Sequence, residues 1–164
     1  MSTQTDRIEK KALLRAPQTR VWEAISDSRK FGSWFGMKLD GPFVAGAIMR
    51  GTIVPTAVDE EIAEYQRPHE GKPVEITVDC IQPERLFSFR WHPYAINKDV
   101  DYSAEPTTLI VFELETVDGG TMLTITESGF DRIPVERRAK AFAANAGGWE
   151  AQLGLIEKYL AKTG

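Results

Sequence analysis

Hydrophobic and polar positions follow two different periods along this chain, and the change of period predicts where strands and helices lie. Residues 7–15 alternate between apolar and mostly charged side chains, which predicts a half-buried strand. Pro17 ends that strand and suits the first turn of a helix. Apolar spacing then predicts two short helices, over residues 17–27 and 28–35.

A series of strands follows, recognised by alternation or by apolar content. The candidate strands are residues 37–40, 47–54, 73–82, 85–92, 107–117 and 121–128. Asp118-Gly119-Gly120 is a tight-turn signal between the last two, and consecutive hairpins predict an antiparallel sheet. Two longer connections, residues 57–72 and 93–106, are rich in Asp and Glu, and we expect solvated loops whose charges repel one another. Connections of this length are typical of functional rims or mobile segments.

The period returns to that of a helix over residues 134–162. Its apolar positions, separated alternately by four and three residues, are Phe142, Ala146, Trp149, Leu153, Ile156 and Leu160. Gly147, Gly148 and Gly154 interrupt this helix, and each costs about 1 kcal/mol relative to Ala. We expect the missing side chains to leave room for a close approach to the helix, or to let it bend.

These elements predict an α+β fold for residues 1–164 as a single domain. A curved antiparallel sheet of six to seven strands would wrap around the long C-terminal helix, with two short helices after the first strand. Alternation places Phe87, Phe89 and Trp91 on one face of their strand. A concave aromatic face opposite a helix that contains glycines predicts a cavity for a small hydrophobic molecule. The candidate ligand-binding residues are Trp34, Phe35, Met49, Phe87, Phe89, Trp91, Phe112, Glu127, Phe142 and Trp149.

Glu127 is the charged member of that set, and its position allows two interpretations. By alternation it shares the inward face of its strand with Leu123 and Ile125. It also stands at the strand end, where Ser128-Gly129 can turn the chain into water, and unpaired Glu is rarely buried. Glu127 is therefore either a solvated strand end or a polar anchor inside an apolar pocket.

Composition and charge narrow the classes of partner. The net charge of −4 and pI near 5.3 give no basic field for nucleic acid, so none is expected. No apolar run is long enough to cross a bilayer, and we expect a cytoplasmic protein without membrane insertion. The single Cys80 lies in a predicted strand and is expected to be a buried residue without catalytic function.

Recognisable catalytic motifs are missing from the sequence. His69 and His92 are the two histidines, and neither belongs to a zinc-binding motif. The acidic connections lack calcium-loop spacing, and there is no nucleophile elbow, phosphate-binding loop or dinucleotide fingerprint. No metal and no cofactor are therefore predicted. Two acidic loops at one rim would favour neutral or cationic ligands over anions.

Several short segments of the sequence, in their order and spacing, resemble the START-like (SRPBCC, helix-grip) superfamily. The closest branch looks like the bacterial homologues of the activator of the heat-shock protein 90 ATPase. The matching segments are Ala16-Pro17, Val21-Trp22-Glu23-Ala24-Ile25, Phe31 to Phe35, Pro83-Glu84-Arg85-Leu86, Phe89-Arg90-Trp91, Thr124 to Phe130 and Gly148-Trp149-Glu150. The resemblance implies a deep hydrophobic cavity closed by the C-terminal helix, which relatives use for lipids, polyketides and other apolar ligands.

The resemblance leaves two alternatives to a simple binding protein, and it supplies no catalytic residues. One alternative is a cyclase, dehydratase or hydrolase that uses Glu127 or His92 as acid or base and Tyr94 or Tyr102 as a hydrogen-bond donor. The other is a co-regulator of a chaperone ATPase, although the additional domain of the eukaryotic activator is missing from this sequence. A homodimer is also compatible with the sequence.

Overall fold

One antiparallel sheet of seven strands forms the larger layer, in the order β1-β7-β6-β5-β4-β3-β2. The computed structural model describes residues 7–93, 101–102 and 104–163. The strands are β1 (Arg7–Leu14), β2 (Met37–Leu39), β3 (Ile48–Ile53), β4 (Pro73–Gln82), β5 (Leu86–Trp91), β6 (Thr108–Val117) and β7 (Gly120–Ser128). The helices are α1 (Gln18–Ser26), α2 (Ser28–Phe35), α3 (Glu60–Gln66) and α4 (Val135–Thr163). The predicted α+β architecture is confirmed.

The junction between α1 and α2 is set by Asp27. This residue ends α1, and its side chain accepts hydrogen bonds from the backbone N–H groups of Arg29 at 3.0 Å and Lys30 at 3.3 Å. Asp is a favourable N-cap because its oxygen satisfies N–H groups that have no partner inside the helix. Gly36 ends α2 with a φ of 98°, a conformation that glycine adopts without a steric penalty. The predicted helical pair is therefore confirmed.

The first acidic connection, predicted as a solvated loop over residues 57–72, contains helix α3. Asp59 caps this helix by accepting a hydrogen bond from the backbone N–H of Ile62 at 2.9 Å. Glu60 lies in the first helical turn, where a negative charge is favourable, and it pairs with Arg67 at 3.2 Å. The prediction of a solvated loop was wrong for this segment. Its acidic residues cap helix α3 and stabilise its first turn, rather than only repelling one another.

The second acidic connection, residues 93–106, lies largely outside the described residues. Tyr94 and Asp99 are among the positions outside the description. The described part holds Glu105, which forms a salt bridge of 2.8 Å with Arg137 of α4. This ion pair fastens the end of the connection to the first turns of α4.

A β-bulge in β4 changes which residues face inward. Val78 pairs with Phe89, but Cys80 rather than Asp79 pairs with Ser88, so Asp79 is the extra residue. The Ser88 hydroxyl donates to Asp79 at 2.9 Å. Because of the bulge, Cys80 lies opposite outward-facing Ser88 and is only partly buried. The expectation of a buried Cys80 was wrong, although its place within a strand is confirmed.

The concave side of the sheet carries the hydrophobic core, and α2 supplies its central ring. Phe31 is completely buried and lies 4.7 Å from Phe35, measured between ring centroids, in a stacked arrangement. Its ring also lies within 6.5 Å of the rings of Trp34, Phe43, Phe87, Phe89 and Phe112. We call Phe31, Trp34, Phe43, Phe87 and Phe89 the apolar cluster. Helix α4 packs beside it against β1, α1 and α2.

The three glycines of α4 do not face the interior. Gly147, Gly148 and Gly154 are all exposed. Apart from the neighbouring backbone of the helix itself, no atom in the described part of the chain lies within 4 Å of the position that a Cβ on any of them would take. The expectation that they widen a gap between helix and sheet was therefore wrong, because they lie on the outer side of the helix.

A buried carboxylate between the sheet and helix α4

Glu127 lies inside the protein, on the concave face of β7. Its strand pairs with β6 and β1, and Glu127 stands between Ile110 and Ile8 in this register. The residue is 0% exposed. The inward orientation agrees with the alternation, so the interpretation as a solvated strand end was wrong. Its role in binding a ligand stays a prediction.

Four side chains donate hydrogen bonds to the Glu127 carboxylate. Its Oε1 atom accepts from Trp149 Nε1 at 2.7 Å and from Asn145 Nδ2 at 2.9 Å. Its Oε2 atom accepts from Trp91 Nε1 at 2.9 Å, Thr108 Oγ1 at 2.5 Å and Asn145 Nδ2 at 3.1 Å. We call these five residues the carboxylate cluster. It joins two sheet strands, β5 and β6, to helix α4 through β7.

The chemistry of the carboxylate cluster follows from its members. An ionised carboxylate only accepts hydrogen bonds, and every partner of Glu127 is a neutral group with an N–H or O–H to donate. Within the described residues, no Lys, Arg or His forms an ion pair with Glu127. A buried charge is unfavourable unless hydrogen bonds replace its hydration, and here they do so without a cation. The cluster is therefore a fixed, negatively charged group that accepts hydrogen bonds.

Aromatic rings enclose the donor side of this carboxylate. The indole rings of Trp91 and Trp149 are stacked, with centroids 5.6 Å apart and planes at 24°. Phe35 lies 5.9 Å from Trp149, and Phe112 lies 5.8 Å from it, both edge to face. Such geometries are the favourable ones for aromatic pairs. Phe35 and Phe112 also touch Phe31, so they connect the carboxylate cluster to the apolar cluster.

The predicted ligand-binding residues are distributed over four places. Trp91, Glu127 and Trp149 meet in the carboxylate cluster, with Phe35 and Phe112 beside it. Trp34, Phe87 and Phe89 belong to the apolar cluster, while Met49 is buried on β3. Phe142 is half-buried and packs 5.2 Å from Phe130, apart from both clusters. Whether any of them contacts a ligand stays a prediction.

Residues that the sequence analysis missed complete the cluster. Thr108 is the first residue of β6, and Asn145 stands four residues before Trp149 on one face of α4. That i, i+4 pair was a readable signal, since both residues carry an N–H donor. Phe31 was recognised as helical but not as the central ring. Gln152, one turn beyond Trp149, also donates to the Phe35 carbonyl at 3.2 Å.

Aromatic rings occupy the place of the predicted cavity in the part of the chain that the structure describes. The concave face of the described chain is filled by the rings of the two clusters, which contact one another across it. Two clefts of about 350 and 290 Å³ lie elsewhere. The first is lined by residues of β6 and β7 and by Arg85, which precedes β5, and the second is between α1, α2 and α4 around Tyr159. A ligand between sheet and helix would have to displace side chains.

His92 and Tyr102, two further residues suggested for acid-base chemistry, make contacts outside the carboxylate cluster. His92 has its Nε2 atom 3.0 Å from the carbonyl oxygen of Glu105. Tyr102 lies under the guanidinium of Arg137, at 4.7 Å from its ring centroid. Tyr94 lies outside the described residues. Their proposed catalytic roles stay predictions.

Two surface carboxylate–lysine contacts perturb the titration of exposed groups. A hydrogen bond from Lys158 of α4, followed by one from the backbone N–H of Ile62, lowers the pKa of Asp59. A hydrogen bond to Glu23 raises the pKa of Lys30. The Asp59–Lys158 pair matters more for the architecture, because it fastens α3 to α4.

Two kinds of site are absent from the described residues. No three His, Cys, Asp or Glu side chains there are close enough to hold a metal ion. No helix in the described ranges is both long and apolar enough to cross a membrane.

Solved structures with the same fold come from several bacteria. Protein MLL2253 of Mesorhizobium loti is 17% identical, with a TM-score of 0.70 over 96% of this chain and 98% of that one. The Aha1 dimer of Colwellia psychrerythraea is 16% identical, with a TM-score of 0.63 over 92% of both chains. DynU16, from the dynemicin biosynthetic locus, is 25% identical with a TM-score of 0.66, and the match covers 95% of this chain but only 47% of DynU16.

Sequence comparison places the chain more specifically. No curated protein matches it at a significant level. A family model described as "Activator of Hsp90 ATPase homolog 1-like protein" matches residues 15–161. That match extends from the end of β1 almost to the end of α4, so it includes every member of the carboxylate cluster. The chain belongs to the family of Activator of Hsp90 ATPase homolog 1-like proteins.

Proposed function

We propose that this protein binds a small hydrophobic molecule, a lipid, a polyketide or another aromatic compound, between the concave face of the sheet and helix α4. Membership of the family, together with the helix-grip fold, supports a ligand-binding domain in general terms. The proposal adds the location of the site and the chemical character of its ligand.

The buried Glu127 carboxylate is the observation that carries this proposal. An apolar side chain at this position would keep the core intact without needing four hydrogen-bond donors. Residues that break the local rules of core packing concentrate at functional sites. A fixed acceptor among aromatic rings is also what orients a ligand inside an apolar pocket. Glu127 therefore marks the proposed site.

Access to the site follows from the burial of its neighbours. Trp91 and Asn145 are partly exposed, while Glu127 and Trp149 are buried beneath them. The carboxylate thus lies one side chain below the surface. Helix α4 contributes Asn145 and Trp149, so a small displacement of this helix would open space next to Glu127. Burial of apolar ligand area at about 25 cal/mol per Å² supplies the driving force, less the cost of association.

Tryptophan fluorescence tests the proposal directly, because Trp91 and Trp149 line the site. The purified protein should be titrated with a panel of fatty acids, flavonoids and aromatic polyketides. At least one compound should give a saturable change in emission. Trp22 on α1 is the matched control: Trp22→Phe should retain the response, whereas Trp91→Phe should diminish it.

Two results would contradict the proposed function or its location. If no compound in the panel gives saturable binding by fluorescence or by calorimetry, the proposed function is wrong. If binding is observed but Trp22→Phe abolishes the response and Trp91→Phe does not, a ligand binds elsewhere and the proposed location is wrong.

Co-regulation of a chaperone ATPase is the second candidate, and the family description favours it. The purified chain would then associate with the middle domain of the chaperone and increase its ATPase rate. Capture by the immobilised middle domain and an ATPase assay test this candidate. An unchanged rate together with no capture would contradict it.

Self-association is a separate proposal about partners. The structural relative from Colwellia psychrerythraea is named as a dimer. We propose that this chain also forms a homodimer, which light scattering at several protein concentrations would detect. A constant monomer mass over the accessible concentration range would contradict the proposal.

A further inference from the structure

The side chain of Trp149 occupies a site that a separate molecule of similar chemistry could fill. One face of its indole ring stacks on Trp91, and Phe35 and Phe112 meet it edge to face. Its Nε1–H donates to Glu127 Oε1 at 2.7 Å. We call the space bounded by these four neighbours the Trp149 berth. Its aromatic walls favour a flat ring, and the Glu127 carboxylate favours a group that donates a hydrogen bond.

We infer that the ligand of this protein is a flat, neutral or cationic aromatic molecule with an N–H or O–H donor, which takes the place of the Trp149 side chain in the Trp149 berth. The inference rests on the proposed function, and it adds the class of ligand. Glu127 would accept the hydrogen bond of the ligand in place of that of the indole.

The carboxylate cluster excludes other ligand classes through its charge. All hydrogen bonds that the described residues make to Glu127 come from donors, so a ligand group placed there must also donate. A ligand carboxylate would face a buried negative charge that has no ion-pair partner among the described residues, which is strongly unfavourable. Fatty acids are therefore excluded from the Trp149 berth, whereas phenols and indole-like rings are accepted.

A second buried acceptor lies one helical turn away. The Oε1 atom of Gln152 is buried and has no hydrogen-bond partner among the described residues. The amide nitrogen of the same side chain donates to the carbonyl of Phe35, whose ring forms one wall of the Trp149 berth. Buried polar atoms are usually paired, so this acceptor has the capacity for one more hydrogen bond. A ligand with a second donor would supply it.

Exchange of the indole requires local motion of α4, and the sequence of the helix favours such motion. Gly147 and Gly148 lie between Asn145 and Trp149, on the exposed side of the helix. Each lowers the helix propensity of this turn relative to Ala. The turn that carries both α4 donors is therefore the one that distorts most readily.

Chemical rescue of a Trp149→Ala variant tests the class of ligand. The variant empties the Trp149 berth, and indole should bind it with an affinity on the order of 10- to 100-fold higher than benzofuran, which has the same shape but an oxygen in place of the N–H. Isothermal titration calorimetry measures both ligands without using the fluorescence of indole itself. Changing Glu127 to Gln in the same variant should remove most of this preference.

An NMR titration tests the same exchange in the wild-type protein. It remains informative if Trp149→Ala does not fold. Indole titrated into the wild-type protein should shift the side-chain N–H resonance of Trp149, identified by its loss in Trp149→Phe, as that group leaves Glu127. The resonance of Trp22 serves as the internal control and should not move. Wild-type affinity should be at least tenfold weaker than that of Trp149→Ala, because the indole of Trp149 competes.

The outcomes separate this inference from the proposed function. Equal affinities of indole and benzofuran, or tighter binding of fatty acids in the wild-type protein, would overturn the donor class while leaving an apolar binding site in place. Rescue of Trp149→Ala without any shift in the wild type would overturn the exchange. If neither protein binds any aromatic or aliphatic compound, both the inference and the proposed function fall.

Discussion

The apolar cluster around Phe31 and the carboxylate cluster around Glu127 are neighbours built from the same kinds of ring, but they are held together differently. In the apolar cluster the rings contact one another, and the indole N–H of Trp34 bonds to the backbone oxygen of Ala24 at 2.8 Å. In the carboxylate cluster two indole N–H groups converge on one buried charge. Hydrophobic burial alone accounts for the first cluster. The second needs a further reason, and ligand binding supplies one.

Removal of the central ring of the apolar cluster should have the largest effect on stability. Phe31→Ala deletes a fully buried side chain with five aromatic neighbours besides Trp34, so we expect a loss of about 3–5 kcal/mol in the free energy of unfolding. Urea denaturation measures it. Phe142→Ala is the control, and its half-buried ring should matter less. Equal losses in both variants would mean that Phe31 is not the centre of the core.

Removal of the charge in the carboxylate cluster should have a smaller effect on stability. Glu127→Gln keeps the shape but turns one acceptor into a donor that faces other donors, so a loss of about 2 kcal/mol is expected. Urea denaturation again provides the measurement. Glu150→Gln, on the outer side of α4, should change stability very little. A neutral or stabilising Glu127→Gln would show that the four donors do not require a carboxylate.

Stiffening the helix next to the carboxylate cluster should increase stability. Gly147→Ala adds a methyl group that meets no described atom, so we expect a gain of up to about 1 kcal/mol from helix propensity. Thermal unfolding measures the gain. Gly36→Ala is the contrasting change and should destabilise, because its φ of 98° disfavours a side chain and Gln66 occupies the space. A destabilising Gly147→Ala would indicate that this turn is not regular in solution.

The smallest effect is expected at the contact that joins α3 to α4, and it depends on pH. The pKa of Asp59 is lowered in the folded protein, so its carboxylate stabilises the fold above its ordinary pKa of about 3.9 and loses this effect as pH falls through the lowered value. Asp59→Asn retains an N-cap side chain but removes the charge. Its deficit in stability should be present at pH 7 and disappear in acid. A deficit independent of pH would contradict the pairing with Lys158.

The sequence was sufficient for most of the fold because the alternation is strong and local. β6 shows this well, since Ile110, Phe112 and Leu114 are buried while Glu113 and Glu115 are exposed. Helix α3 escaped prediction because it has only seven residues, with Ala63 as its one buried side chain, and its acidic start resembles a solvated loop. The N-cap signal of Asp59 was present but was not recognised.

The site could be predicted only in part. Alternation identified the inward direction of Glu127, but its donors come from three other elements that only the fold brings together. The bulge at Asp79 reversed the orientation of the following residues, and no residue type marks it in the sequence. Whether rings fill a concave face depends on their rotamers, which cannot be read from a sequence. The filling of the expected cavity by aromatic rings could therefore not be predicted.

That bulge has a practical consequence for spectroscopy. By turning Cys80 to the outer face of the sheet, it places the only thiol of the chain on the side away from α4 and Glu127. A maleimide dye or nitroxide attached there would leave the interior packing untouched. The natural protein thus carries one ready attachment point from which distances to a second label on α4 can report helix displacement.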